Sequence, residues 1–498
     1  MEIKFHSMET EVFRESCRQT KRVQESAESV VPDTDDDIAR IAAVQTWLLL
    51  KSKDVSARGV FLSAEACACV LYIAEGLQKV SFVRLCKPFT LEFELPESEQ
   101  TPEAQVSLSI LASEARIVNP RKLSISFDIM GELSCYVREK LACDVEIPEE
   151  CGQLHLRCAT AELTLPNAVT EKTFVLNDQF SFPTGKPRPA RLVSQKAELL
   201  TGDCQLIGKK LVVKGSVELT LCYLSDEVNY PVTAAFSAPF SQIVDIGKEN
   251  MSLCCTRSEI TGLYLDLVDT IQGEKALDME LHALLQLVCC AKQSVRCIAD
   301  AYCNSMPCRN LTQEEELETV GGIQMLRLGA DERVSIPEDC ADVLSLFPSL
   351  SRLTQEQGKL SAAVILDVVY RTQEGELSAV RRSIALTGEC DASARILSAN
   401  LCDVILRPDG AFVDVHLTLA LSCLGLVKRK LERLCGVELL EEEAGTFDRG
   451  SSLTMVRAEG ESLWELAKAY RSSEEQIRKA NPELEEWSGK MLLIPRCP

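Results

Sequence analysis

The 498 residues leave room for three or four domains, and a hydrophobic content of 46% supplies ordinary cores. A formal charge of −22 argues against nucleic acid, whose phosphates need a basic surface, and against direct binding to anionic lipid. The first residues, MEIKFHSMETEVFRESCRQTKRVQ, hold no apolar stretch of signal-peptide length, and no run reaches the length of a membrane-spanning helix.

The expectation is therefore a protein kept in a cytoplasm. The 23 cysteines agree, being odd in number and set in apolar runs such as Ala66-Cys67-Ala68-Cys69 and Leu253-Cys254-Cys255. Thiols placed that way behave as small hydrophobes. Cys303 and Cys308, with Cys297 nearby, are the best zinc candidates, but no second paired motif accompanies them. Neither a metal nor a cofactor is expected.

Residues 1–435 carry three copies of one pattern. Each opens with an apolar strand ending in proline: Ser29-Val30-Val31-Pro32, Phe180-Ser181-Phe182-Pro183 and Val334-Ser335-Ile336-Pro337. A polar or proline-bearing turn follows, then a long alternating strand that ends in Tyr72, Tyr223 or Tyr370. The last mark is a hairpin, turning at Asn119-Pro120-Arg121-Lys122, Gln272-Gly273-Glu274-Lys275 and Arg407-Pro408-Asp409-Gly410. The strand after each turn runs to Cys135, Cys289 or Cys423. A period of about 150 residues means repeated domains and not a solenoid.

Many short alternating strands joined by turns predict a mainly β protein with three tandem β-sandwich-like domains, at 1–140, 141–310 and 311–435. The acidic segment Leu311 to Glu318 reads as a short helix. Residues 436–452, with Leu440-Glu441-Glu442-Glu443, read as a solvated acidic linker that lets the C-terminal end of the chain move. Residues 453–496 predict a small β-α-α-β unit. In it, Gly460 makes a turn, Ser462 starts one helix, and Leu463, Leu466, Ala467 and Tyr470 form its apolar face. Ser473 with Gln476 starts a second helix, and Asn481-Pro482 ends it.

Nothing in this pattern reads as an enzyme. His6, His155, His282 and His416 are the four histidines, and the last two fall at one repeat position. G-x-S-x-G, a P-loop, H-E-x-x-H and a Gly-rich dinucleotide turn are all missing from the sequence. Trp47 reads as core. Trp487 reads either as a ring for stacking on sugar or as packing for the small C-terminal core.

The C-terminal unit resembles a LysM module. Gly460-Glu461-Ser462-Leu463-Trp464, Ala467, Tyr470, Ile477, Ala480-Asn481-Pro482 and Leu492-Leu493-Ile494-Pro495 carry the resemblance. It implies a shallow groove for N-acetylglucosamine glycans such as peptidoglycan, lined by Gly460, Glu461, Ser462, Leu463, Asn481, Pro482 and Glu483. Glu483, Glu485 and Glu486 crowd the second loop with more acid than a glycan needs, which leaves a protein ligand open beside peptidoglycan. Repeated β domains ahead of such a module resemble the SipL-like family of spore coat morphogenetic proteins. The marks are Phe174 to Pro189, Val212 to Tyr223 and their counterparts in the other copies. That resemblance implies a scaffold in the mother-cell cytoplasm, at the forespore surface, that contacts a SpoIVA-like coat ATPase through the module. The alternative is a cell-wall-associated glycan-binding protein.

Overall fold

The computed structural model describes residues 2–496 apart from 77–78, 98, 147–153, 272, 338–339, 441–451 and 484–485. Nearly all of it is antiparallel β structure. After a short β1 (Glu2–Lys4), the first six-strand unit holds β2 (His6–Val30), β3 (Ile38–Val55), β4 (Gly59–Ala74), β5 (Val80–Glu94), β6 (Glu103–Asn119) and β7 (Lys122–Glu146). The second holds β8 (Leu154–Ser181), β9 (Arg191–Ile207), β10 (Lys210–Leu224), β11 (Val232–Asp245), β12 (Met251–Asp269) and β13 (Lys275–Cys303). The third holds β14 (Cys308–Ser335), β15 (Cys340–Glu356), β16 (Lys359–Thr372), β17 (Leu377–Glu389), β18 (Arg395–Asp409) and β19 (Phe412–Leu439).

Each unit splits its strands in the same way. The three middle strands form one sheet, in the orders β3-β4-β5, β9-β10-β11 and β15-β16-β17. The first and last strands pair with each other, and the fifth pairs with the last. The two sheets enclose one apolar core per unit. In β4 every second residue from Val60 to Tyr72 is turned into that core, as the two-residue period of a strand requires. The tyrosines at the strand ends are buried, and their hydroxyls donate back to the preceding turn: Tyr72 to the Asp36 carbonyl at 3.2 Å, and Tyr223 to that of Pro187 at 2.9 Å. Cys135, Cys289 and Cys423 sit at corresponding core positions with no exposure. At Gly131 the facing sheet comes so close that a Cβ would stand 2.5 Å from Leu91 Cδ1.

The residues between the core positions are not free. On β4, Cys69, Leu71 and Ile73 point away from their own core, yet all three are buried against Val193 and Cys222 of the second unit and Phe347 and Val369 of the third. The three middle sheets therefore pack on one another, and the run Ala66 to Ala74 is apolar throughout because both of its faces are covered.

The outer strands carry the molecule's length. β13 has 29 residues, β8, β14 and β19 have 28, and β2 and β7 have 25. At about 3.3 Å per residue, β13 spans roughly 95 Å. β12 accompanies β13 only as far as Ala291, so residues 292–303 run on beyond the sandwich with β8. There β7 meets β13 through the parallel pair Arg296–Asp144, and β1 adds to the end of β19. The outer faces of these overhanging strands close on three successive apolar layers drawn from all three units.

Several expectations change. Leu311 to Glu318 is strand within β14 and not a helix, because β19 offers a full antiparallel partner along it. Residues 436–439 also belong to β19, while 441–451 lie outside the described residues. Cys67 is no free apolar thiol: it lies opposite Cys86 on β5 and forms a disulfide with it. Glu65 with this pair is the one metal-type grouping among the described residues, and its two sulfurs are bonded to each other. Among the described residues no helix is long and apolar enough to cross a membrane.

Candidate functional site

The C-terminal unit consists of β20 (Leu453–Arg457), α1 (Leu463–Tyr470), α2 (Glu474–Ala480) and β21 (Met491–Pro495). Its two short strands pair antiparallel, from Leu453 opposite Pro495 to Arg457 opposite Met491. Gly460, at φ 119°, makes the turn into α1. Ser462 caps that helix by accepting from the Glu465 amide, and the Glu465 carboxylate accepts from the Ser462 amide at 2.8 Å. Those two bonds complete a capping box. The Ser462 amide and hydroxyl both donate to the Glu465 carboxylate and hold its carboxyl below its ordinary value. Ser473 caps α2 through the Gln476 amide, without the reciprocal bond. Leu463, Trp464, Leu466, Ala467, Ile477, Leu492 and Ile494 form the core.

The seven residues expected at the groove fall into two groups. Leu463 is 4% exposed and belongs to the core. Asn481 spends its amide on the unit itself: Nδ2 donates to the carbonyls of Ile477 at 2.8 Å and Leu493 at 2.7 Å, and Oδ1 accepts from the Leu493 amide at 2.9 Å. It ties α2 to β21. Gly460, Glu461, Ser462, Pro482 and Glu483 are exposed, but Ser462 is engaged in its cap and Glu461 accepts from the Glu459 amide at 2.8 Å. Glu486 is exposed beside them, and Glu485 lies outside the described residues. Trp487 is half-buried against the core, with the Arg478 guanidinium 5.2 Å from its ring centre. That contact covers a face a sugar would need.

The unit is not a tethered bead. It is seated on the far end of β13. Tyr302 of that strand enters the unit's own core, with its ring edge-on to Trp464 at 4.8 Å, and its hydroxyl donates to the Ser472 carbonyl at 3.0 Å. The Asp300 carboxylate accepts from Trp464 Nε1 at 2.8 Å, from Lys468 Nζ at 2.7 Å and from Asn310 Nδ2 at 2.9 Å. Burial pulls the Asp300 pKa upward, but the Lys468 and Trp464 hydrogen bonds outweigh it and hold the carboxyl below its ordinary value. His155 stacks on the other side of Tyr302 at 4.7 Å, and burial lowers its pKa. Nothing in the sequence marks these contacts, since Asp300 and Trp464 are 164 residues apart.

Seated in this way, the unit presents the outer face of its strand pair. Leu453, Met455 and Met491 alternate with the inward Val456, Leu492 and Ile494, and they are 49%, 61% and 52% exposed. Cys308 lies beside Cys303, but among the described residues the three zinc candidates form no metal-type group. Cys297 lies near the carbonyls of Ala159 and Glu432, and Cys303 lies 3.1 Å from the Ser305 hydroxyl. The histidines at the shared repeat position face carboxylates on the surface, His282 with Glu280 at 2.6 Å and His416 with Asp331 at 2.5 Å. His155 is the structural histidine just described, and the side chain of His6 lies outside the described residues. No family model, no curated protein and no solved structure matches the chain.

Proposed function

We propose that this chain is a non-enzymatic scaffold for spore coat or envelope assembly, and that its LysM-like unit docks a protein, a SpoIVA-like coat ATPase. On this reading it works in the mother-cell cytoplasm, at the forespore surface. One observation carries the choice of a protein over a glycan. The unit is fixed through Trp464 and Lys468 and turns an apolar face of Leu453, Met455 and Met491 outward. Exposed apolar patches of this kind mark protein contacts, whereas glycan grooves need free polar donors and open aromatic faces. Asn481, Ser462 and Trp487 are already engaged within the unit. The acidic loop at Glu483 and Glu486 adds charge that a basic protein surface would complement.

The test immobilises the full-length chain and offers purified coat ATPase and purified peptidoglycan in parallel. The ATPase is retained, and Met455→Asp with Met491→Asp weakens retention by more than about tenfold. Retention on peptidoglycan alone, unaffected by those substitutions, overturns the reading in favour of the wall-associated glycan binder.

A further inference from the structure

The strand pair of the C-terminal unit has one closed edge and one open edge. The Ala458 amide donates to the Lys490 carbonyl and the Arg496 amide to that of Ser452, both at 3.0 Å. Ladder bonds alternate along an antiparallel pair, so Thr454 and Val456 also spend their backbone groups on β21. Met455 and Arg457 fall between them, and their N–H and C=O groups point off the far side of β20. Leu493, opposite Met455, points off the far side of β21 in the same way, and there Asn481 takes both of its groups, at 2.7 and 2.9 Å. Met455 and Arg457 have no such cover. Among the described residues β20 pairs with β21 alone, and neither backbone makes a hydrogen bond.

Elsewhere the chain closes such edges with side chains. β5 and β11 are outside strands of their three-strand sheets. On β5 the outward carbonyls of Glu92 and Glu94 accept from Lys21 Nζ at 2.8 Å and Gln19 Nε2 at 2.6 Å. On β11 the Ile243 carbonyl accepts from Lys172 Nζ at 3.0 Å, and the Thr233 carbonyl accepts from Lys186 Nζ. Occupied carbonyls and lysines at an edge keep a foreign strand from adding to it. β20 has neither guard at Met455, and the side chains of Met455 and Arg457 are both exposed.

We propose that the partner adds to β20 as an antiparallel strand, an inference that rests on the reading of this unit as a protein dock. The Met455 and Arg457 amides donate to the added strand, and their carbonyls accept from it. The occupant is an extended segment of another protein. It carries an acidic residue opposite Arg457 and, two positions further along, an apolar residue opposite Met455. Both of those side chains join the outer face that holds Met455 and Met491. A second copy of this chain does not supply that pattern. Antiparallel pairing of β20 with itself sets Arg457 against Leu453, Met455 or another Arg457, never against a carboxylate.

The test titrates the full-length chain with the purified coat ATPase and follows amide hydrogen exchange in the free and the saturated chain. The Met455 and Arg457 amides exchange fast in the free chain and slow by at least about tenfold in the complex. Met455→Pro removes an N–H that faces away from β21, so Tm stays unchanged, yet affinity falls by about tenfold or more. Met455→Leu keeps the donor and binds within about twofold of the parent chain. Arg457→Glu weakens binding by about fivefold. Strand addition falls if Met455→Pro binds as well as Met455→Leu, or if the two amides stay fast in the saturated complex of the parent chain. In either case a loss of binding with Met455→Asp and Met491→Asp leaves the dock itself standing. An ATPase that does not bind the parent chain overturns both.

Discussion

The inside of one sandwich and the seam between sandwiches are built from the same strands, one residue out of step. On β4, Val70 and Tyr72 fill the first unit's own core, while Cys69 and Leu71 beside them fill the junction of three units. The interiors are alike in all three copies and wholly apolar. The seams are mixed. Gln286 of the second unit presents its amide to Val106 of the first and makes both bonds a neighbouring strand would make, at 2.9 and 2.8 Å. Asp367 of the third unit is 3% exposed and binds Arg381 through both oxygens while accepting from the Val44 amide of the first at 3.1 Å. An interior needs only volume and apolarity, so it survives copying. A seam must satisfy each buried polar group with a particular partner, so the copies diverge there.

This difference can be broken by substitution. Phe127→Ala in the first core, at 1% exposure, costs about 3–5 kcal/mol and lowers the denaturant midpoint. Phe347→Ala in the seam costs less, because the joint can close in part. Equal losses in equilibrium denaturation would make seam and interior one energetic unit. Asp367→Ala leaves the Val44 amide and Arg381 unmet and costs about 2–3 kcal/mol. Asp367→Asn restores most of that, and hydrogen exchange at Val44 reports whether the seam opens by itself.

Asn481→Ala removes two bonds to β21 and one to the Ile477 carbonyl of α2, and destabilises the C-terminal unit by about 2 kcal/mol. Limited proteolysis would then cut within 453–496 and spare the sandwiches. Cuts spread over the whole chain would mean that the seat on β13 couples the two regions.

The smallest expected effect is a dependence on pH. Part of Glu259 reaches the surface, but its carboxyl is enclosed at the seam, where burial pushes its pKa up to about 7 and outweighs the Leu108 amide bond. A folded pKa raised above the unfolded one means that the protonated form fits the fold. This contribution is therefore full below the unfolded carboxyl range and is lost as pH rises through about 7. Glu259→Gln should make the Tm difference between pH 6 and pH 8 smaller than in the parent chain. An unchanged difference would place the seam's pH dependence elsewhere.

The mainly β fold was legible, and the reason is local. Alternation along Leu123 to Ile129 or Val60 to Tyr72 states directly which side chains share a face. The turns at Pro120 and Gly410 and the helix starts at Ser462 and Ser473 were legible for the same reason, since their chemistry acts over two to four residues. The acidic run Glu314 to Glu316 misled because it lies on a paired strand: Glu314 and Glu316 face solvent, while Glu315 on the other face is half-buried beside Arg433. Asn481 was legible as a special position, but its neighbours in space were not. An Asn that ends a helix and one that faces a ligand look the same until Leu493 is beside it.

By itself the sequence determined where strands alternate, where they turn, and that one unit of helices comes after them. Periodicity and capping are written in neighbouring residues, and water and backbone geometry do the rest. The tertiary structure decided that Cys69 and Phe347 face each other's units, that Arg395 and Glu15 meet across 380 residues, and that Asp300 holds Trp464. A strand's outward face states only that something lies outside it. Whether that is water or a second unit depends on how three similar bodies pack, and each of those contacts joins residues that no local pattern connects.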